Sequence, residues 1–205
     1  SIGTPSENVA QPNLLGYFGL QQQPFDVTPD PAYLYLSPSH REALTSLAQG
    51  IEHFRGFMML VAEPGMGKTT VLNKLMESLS DSARVVFLFQ TQCSPHELLR
   101  FILNELEVDH TGMDVVAMHR ALNQALLEEM LRGRRFVLIV DEGQNLQDSV
   151  LETIRLLSDF ETAHSKLIQI VLAGQPQMVD TLLRPNLVQL RQRISVLSSL
   201  KSLSA

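Results

Sequence analysis

Cysteine is nearly missing from this chain: its 205 residues include one, Cys93. An internal disulfide framework is excluded, and a reducing compartment fits better than an oxidising one. Positive charge is also in deficit. Lys and Arg number 16 against 22 Asp and Glu, a formal net charge of −6, which marks neither a general nucleic-acid binder nor a membrane-surface binder. Long apolar runs are absent as well. The longest, at 57–62 and 136–140, are strand-length against the roughly 20 residues of a membrane span. No N-terminal stretch has the basic, apolar and small-residue parts of a signal peptide. His40, His53, His96, His110, His119 and His164 are scattered without metal-ligand spacing. Repeats and low-complexity tracts are missing too. What remains is one soluble domain, long enough to bury a good core. The start at Ser1 without Met and the end in "SLKSLSA" read as the limits of a fragment.

Residues 1–16 read as a loose polar end. The stretch from 17 to 40 carries four prolines and several aromatics. It reads as an extended segment pinned to the body by Phe18, Phe25, Tyr33 and Tyr35. Ser39 with Glu42 three residues on forms a capping box for a helix ending near Gly50 or Gly56. Strands and helices then alternate. Strands are expected at 57–62, 83–90, 135–142, 167–174 and within 192–200. Helices are expected from Gly67 to Ser80, after a second capping box of Ser94 and Glu97, over 114–133, over 148–163 and over 175–183. Strands that are apolar almost throughout, separated by helices, predict a parallel five-stranded sheet covered on both faces, an α/β fold.

One junction carries chemistry. "LVAEPGMGKTT" takes an apolar strand straight into glycines, a lysine and two threonines. The pattern G-x-x-x-x-G-K-[ST] wraps backbone N–H groups around phosphate oxygens at a helix N-terminus. Here Ala62 occupies the first glycine position, a change of one methyl. The candidate phosphate-binding residues are Glu63, Pro64, Gly65, Met66, Gly67, Lys68, Thr69 and Thr70. Lys68 would reach the β- and γ-phosphates of ATP, and the Thr69 hydroxyl would ligate Mg²⁺.

A second junction, "RFVLIVDEGQNL", places Asp141 and Glu142 at the end of a buried strand. Ligands of parallel sheets bind beyond the carboxyl ends of the strands. Asp141 would sit near Mg²⁺, and Glu142 would polarise a water for attack on the γ-phosphate. A following glutamate suits hydrolysis better than transfer to a small molecule. The spacing resembles the AAA+ ATPases, with the cradle and acid strands expected as neighbours in space.

Taken together, "YFGL…PFDVTPDPAYLYLSPSHREAL", "AEPGMGKTT", "VDEGQNL", "LETIRLLSDFET", "LAGQPQM" and "LRQRIS" resemble the general secretion pathway protein A family of AAA ATPases. The exosortase-associated ATPases carry a similar set. The likeness spans residues 17–195 and implies a P-loop NTPase domain of AAA+ type over 17–205, cut before its C-terminal helical lid. It implies ATP hydrolysis by a homo-oligomeric ring, secretion or envelope-assembly partners of the full-length protein, and a role of that protein in helping a secretin assemble. It places the domain in the cytoplasm, ahead of an inner-membrane segment of the full-length protein. It also matches Gln175 to a polar sensor of the γ-phosphate, and Arg191 or Arg193 to an arginine finger reaching a neighbouring subunit. The weaker alternative for Gln175 is a turn residue capping the next helix, and either arginine reads equally as a cation at a helix C-terminus. Asp159 stands where the family's "NFET" has asparagine, and Glu161 lies towards a subunit boundary. The other readings are an AAA+ ATPase that assembles on DNA in a transposition-type complex, which the acidic balance disfavours, and a nucleotide-gated module without turnover, which Glu142 disfavours.

Overall fold

The computed structural model describes residues 36–89 and 92–200. The expected loose end at 1–16 and the segment holding Phe18, Phe25, Tyr33 and Tyr35 lie outside them. The described elements are α1 (Pro38–Glu52), β1 (Phe57–Ala62), α2 (Lys68–Leu79), β2 (Ala83–Leu88), α3 (Pro95–Glu105), α4 (Val115–Leu131), β3 (Arg135–Val140), α5 (Asp148–Ser158), β4 (Gln169–Gly174), α6 (Gln177–Leu182), α7 (Val188–Arg193) and β5 (Ile194–Leu200).

The five strands are parallel, in the order β2-β3-β4-β1-β5. Successive strand side chains point to opposite faces, so each apolar strand feeds two cores. Phe57, Met59, Val86, Phe136, Leu138, Ile170 and Leu172 join one core with α3, α4 and α5. Met58, Leu60, Val137, Ile139, Val171 and Ala173 join the other with α1 and α2. Burial on both faces explains why β1 and β4 are buried at every position. The edge strand β5 alternates instead, with Ser198 and Leu200 inside and Leu197 exposed.

Two expectations are corrected. The cradle strand β1 and the acid strand β3 are not adjacent: β4 pairs with both and lies between them. The chain crosses from β1 to the far edge at β2 and walks back through β3 and β4, so β4 fills the gap beside β1, and β5 is added on the other side of β1. Helix α1 is capped by Ser37 rather than Ser39. Ser37 Oγ accepts the His40 N–H at 3.2 Å, and His40 replaces the expected glutamate of the capping box. Pro38 is the reason. It favours the first helical position and forces the residue before it into the extended backbone a cap needs, here φ −64° and ψ 162°. The other caps match the sequence: Ser94 with Glu97 opens α3, and Gly133 follows α4 at φ +77°.

Candidate active site

β1 ends at Ala62, and residues 63–67 turn into α2. The turn needs glycine twice, at Gly65 (φ +79°) and Gly67 (φ +87°), where the left-handed backbone is unfavourable for side chains. Gly67 is the N-cap of α2 and has no side chain to cap it. The free N–H groups of the first turn and the positive end of the helix dipole therefore face the loop. A cavity of about 440 Å³ lies there, lined by residues including Gly65, Gly67, Lys68, Thr69, Glu142 and Gln175. Glu63 and Pro64 also line it, whereas Met66 and Thr70 do not. Met66 packs instead against the core under α1 and α2.

β3 delivers the carboxylates. Lys68 Nζ donates to Asp141 Oδ1 at 2.5 Å and to Glu142 Oε1 at 3.0 Å. One ammonium thus spans from the loop after β1 to the end of β3, across the intervening β4. Burial pushes the Lys68 ammonium down, but its hydrogen bonds to Asp141 and Glu142 outweigh this and raise it above its usual range. Glu142 is held below the usual carboxylate range, first by the Gln144 amide and then by Lys68. It is ionised at neutral pH.

Glu142 adopts a left-handed backbone, φ +54° and ψ +39°, which costs a non-glycine residue on the order of 1–3 kcal/mol. Its neighbours hold it there. The Glu142 N–H donates to Asp141 Oδ1 at 2.7 Å. Gln144 Nε2 donates to Glu142 Oε2 at 2.5 Å, and Gln144 Oε1 accepts the Gln175 N–H at 3.0 Å. Gln144 therefore ties the acid strand to the turn after β4. Gly174 makes room for it, and Gly143 makes room for Met178 beside it. A Cβ on Gly174 would stand 2.7 Å from Gln144 Oε1, and one on Gly143 would stand 2.6 Å from Met178 Sδ.

The candidate fingers lie elsewhere. Arg191 and Arg193 are outside the cavity lining. Arg191 Nη1 donates to the Leu182 carbonyl at 2.6 Å, at the end of α6. Arg193 Nη1 pairs with Asp159 Oδ1 at 2.6 Å, and Arg155 reaches the other oxygen of Asp159 at 3.5 Å. The sequence reading missed Gln144, which carries no signal beyond its place after "VDEG". It also passed over His40, whose Nε2 lies 2.5 Å from the Met66 carbonyl. Cys93 is half-buried, and burial raises its thiol, with Glu97 adding to the shift. That is the opposite of an activated nucleophile.

Known proteins share this arrangement. The AAA domain family matches residues 51–183. General secretion pathway protein A of Aeromonas hydrophila is 37% identical over 189 residues, covering 92% of this chain. The chain spans 35% of that relative's length. Among solved structures, Cdc6p of Pyrobaculum aerophilum superposes with a TM-score of 0.65 at 22% identity, over 83% of this chain and 48% of the other. The Aeropyrum pernix ORC1 protein, solved in complex with DNA, gives 0.58 at 18% identity over 85% and 48%. At these identities the two structures speak for the fold alone. A five-stranded parallel sheet, a glycine loop between strand and helix and a family match over most of the chain agree: this chain belongs to the AAA domain family and is an ATPase.

Proposed function

We propose that the site hydrolyses ATP in a secretion-associated assembly, with one residue group supplied by a neighbouring copy. The observation that carries this is the Lys68 ammonium held between Asp141 and Glu142 at the mouth of the loop cavity, with Gln175 on the same wall. Backbone N–H groups of the loop and the first turn of α2, those of Gly65, Gly67, Lys68 and Thr69 among them, would take the phosphates. Lys68 would exchange its carboxylate partners for β- and γ-phosphate oxygens. Glu142, freed from the ammonium but still oriented by Gln144, would accept the proton of the attacking water. Gln175 would contact the γ-phosphate.

The donor set suits Mg²⁺, which keeps several waters and takes one or two carboxylates besides substrate phosphates. The Thr69 hydroxyl and the Asp141 carboxylate are the groups that would hold it. The bound ion would neutralise charge on the β- and γ-oxygens.

Arg193 is the better finger of the two. Arg191 is spent on a carbonyl of its own subunit, while the Arg193 side chain is 39% exposed and rests on the half-buried Asp159. A ring of subunits would bring it to the neighbour's γ-phosphate. The relationship to general secretion pathway protein A supports a cytoplasmic role in secretion or envelope assembly. Among the described residues no helix is long and apolar enough to cross a membrane. Phosphate release from MgATP across a range of protein concentrations tests the reading. Turnover per subunit should rise with concentration and vanish in Lys68→Ala. Concentration-independent turnover would remove the neighbour's arginine from the site.

A further inference from the structure

His40 sits in the first turn of α1, far in sequence from the phosphate loop, and its ring lies on the loop's outer side. Its Nε2 is 2.5 Å from the Met66 carbonyl. The Ser37 backbone N–H donates to His40 Nδ1 at 3.3 Å. A nitrogen that accepts carries no proton, so the neutral ring holds its proton on Nε2 and donates it to Met66. The contact is close: a Cβ on Gly67 would stand 2.6 Å from that same nitrogen.

The consequence lies in the peptide plane. In a trans peptide the carbonyl of one residue and the N–H of the next point in opposite directions. No cis bond occurs among the described residues. Drawing the Met66 carbonyl outward to His40 therefore turns the Gly67 N–H the other way, towards the cavity that Gly67 lines and Met66 does not. Gly67, at φ +87°, has no side chain to restrict its backbone or to cap the helix.

We infer that His40 is a positioning residue of the phosphate loop: through the Met66 carbonyl it holds the Gly67 N–H aimed at the nucleotide's phosphates. The inference rests on the phosphate-loop reading of residues 63–70. It also links the cap of α1, and hence the chain entering it at Leu36, to the geometry of the nucleotide site. A misaimed N–H weakens ADP and ATP alike, because the loop amides cradle phosphates that both nucleotides share. Equal loss in ground and transition state raises KM and leaves kcat alone.

The test compares His40→Ala, His40→Phe and His40→Gln in the full chain. ADP binding is followed by calorimetry, and turnover by phosphate release. Phe keeps a ring but has no donor; Gln offers an amide N–H near the position of Nε2. A net hydrogen bond corresponds to roughly a three- to tenfold change in affinity. The expected result is a weakening of ADP binding of that size in His40→Ala and His40→Phe, with raised KM, unchanged kcat and recovery in His40→Gln. Wild-type affinity in His40→Phe, or a loss in His40→Gln equal to that in His40→Ala, would overturn it and leave the ring as packing only. If the Ala variant does not fold, the Phe and Gln pair decides by the same contrast. Lys68→Ala is measured alongside. If that variant binds ADP as the wild type does, the phosphate-loop reading itself fails, and the role of His40 with it.

Discussion

Glu142, the proposed base, is a strained residue that Asp141, Gln144 and Lys68 all hold. Its backbone is left-handed, its amide is held by Asp141 and its carboxylate by Gln144 and Lys68. Glu142→Gln should lower kcat by about 10²- to 10⁴-fold while ADP still binds, as measured by phosphate release and calorimetry. A variant that keeps its turnover would take the base role away from this residue. The pH dependence follows from the shift directions. Glu142 is shifted below the ordinary glutamate value of 4.5, so its stabilising contacts are complete above that pH and are lost as pH falls through the lower folded value. Lys68 is shifted above 10.5, so its contribution is complete below that pH and is lost only as pH rises beyond it. The stability difference between wild type and Glu142→Gln should stay flat from about pH 5 to 9 and shrink in more acidic solution. With the Glu142 side chain 40% exposed, that difference should be no more than about 1 kcal/mol. Gly174 provides a steric test at the same scale. Its methyl would meet the ends of Gln144 and Met178, which can yield, and the Gly143 amide at 3.2 Å. Gly174→Ala should cost about 1–3 kcal/mol by overpacking and should lower kcat by displacing Gln144. A fall in stability with kcat intact would make Gln144 a strut of the fold only.

Most elements were legible because their signals are local. The strand 57–62 has the predicted bounds, and the Ser94–Glu97 box opens α3 as its spacing requires. Ser94 Oγ accepts the Glu97 N–H at 3.1 Å, and the Glu97 carboxylate returns to the Ser94 N–H at 3.4 Å. Ser94→Ala should therefore lower stability by about 1 kcal/mol, read as a lower urea midpoint with an unchanged slope; an unchanged midpoint would make the cap redundant. The start of α1 was misplaced because two serines flank the proline, and Ser39 has a glutamate at the familiar spacing. Backbone geometry at Pro38 outranks that pattern, and histidine serves in place of glutamate. The adjacency of β1 and β3 was misjudged for a different reason. Strand order depends on which gaps remain when later strands arrive, and no local pattern encodes it.

At the scale of the whole molecule the cradle and the acids converge although β3 ends two positions short of β4: Val61 is level with Gly174 and Val140 with Leu172, so Asp141 and Glu142 follow β3 in the stretch beside the ends of β4 and β1. The arginines do not converge with them. Arg193 rests on Asp159, which also meets Arg155. A site that needs Arg193 would be complete only between subunits, and mixing experiments can show this. Arg193→Ala alone and Glu142→Gln alone should each be nearly inactive. Mixed, some sites should pair an intact Glu142 with a neighbour's intact Arg193, and phosphate release should recover to a sizeable fraction of wild type. Mixtures no more active than their parts would exclude a shared site built on Arg193. Loss of an arginine finger typically costs about 10³- to 10⁵-fold, so the recovery would stand far above background.

The sequence by itself determined the class of fold, the phosphate loop and the identity of its charged groups. Periodicity, glycine conformation and helix capping act over a few residues, and each leaves its mark in the order of the chain. Only the tertiary structure decided that β4 separates the loop from the acids, that Gln144 joins Glu142 to the turn at Gln175 and that His40 reaches Met66. His40 and Met66 lie 26 residues apart, and Gln144 and Gln175 lie 31 apart. Their contacts depend on how two cores pack against one twisted sheet. That packing is a cooperative property of every buried side chain at once, and no short stretch of sequence carries it.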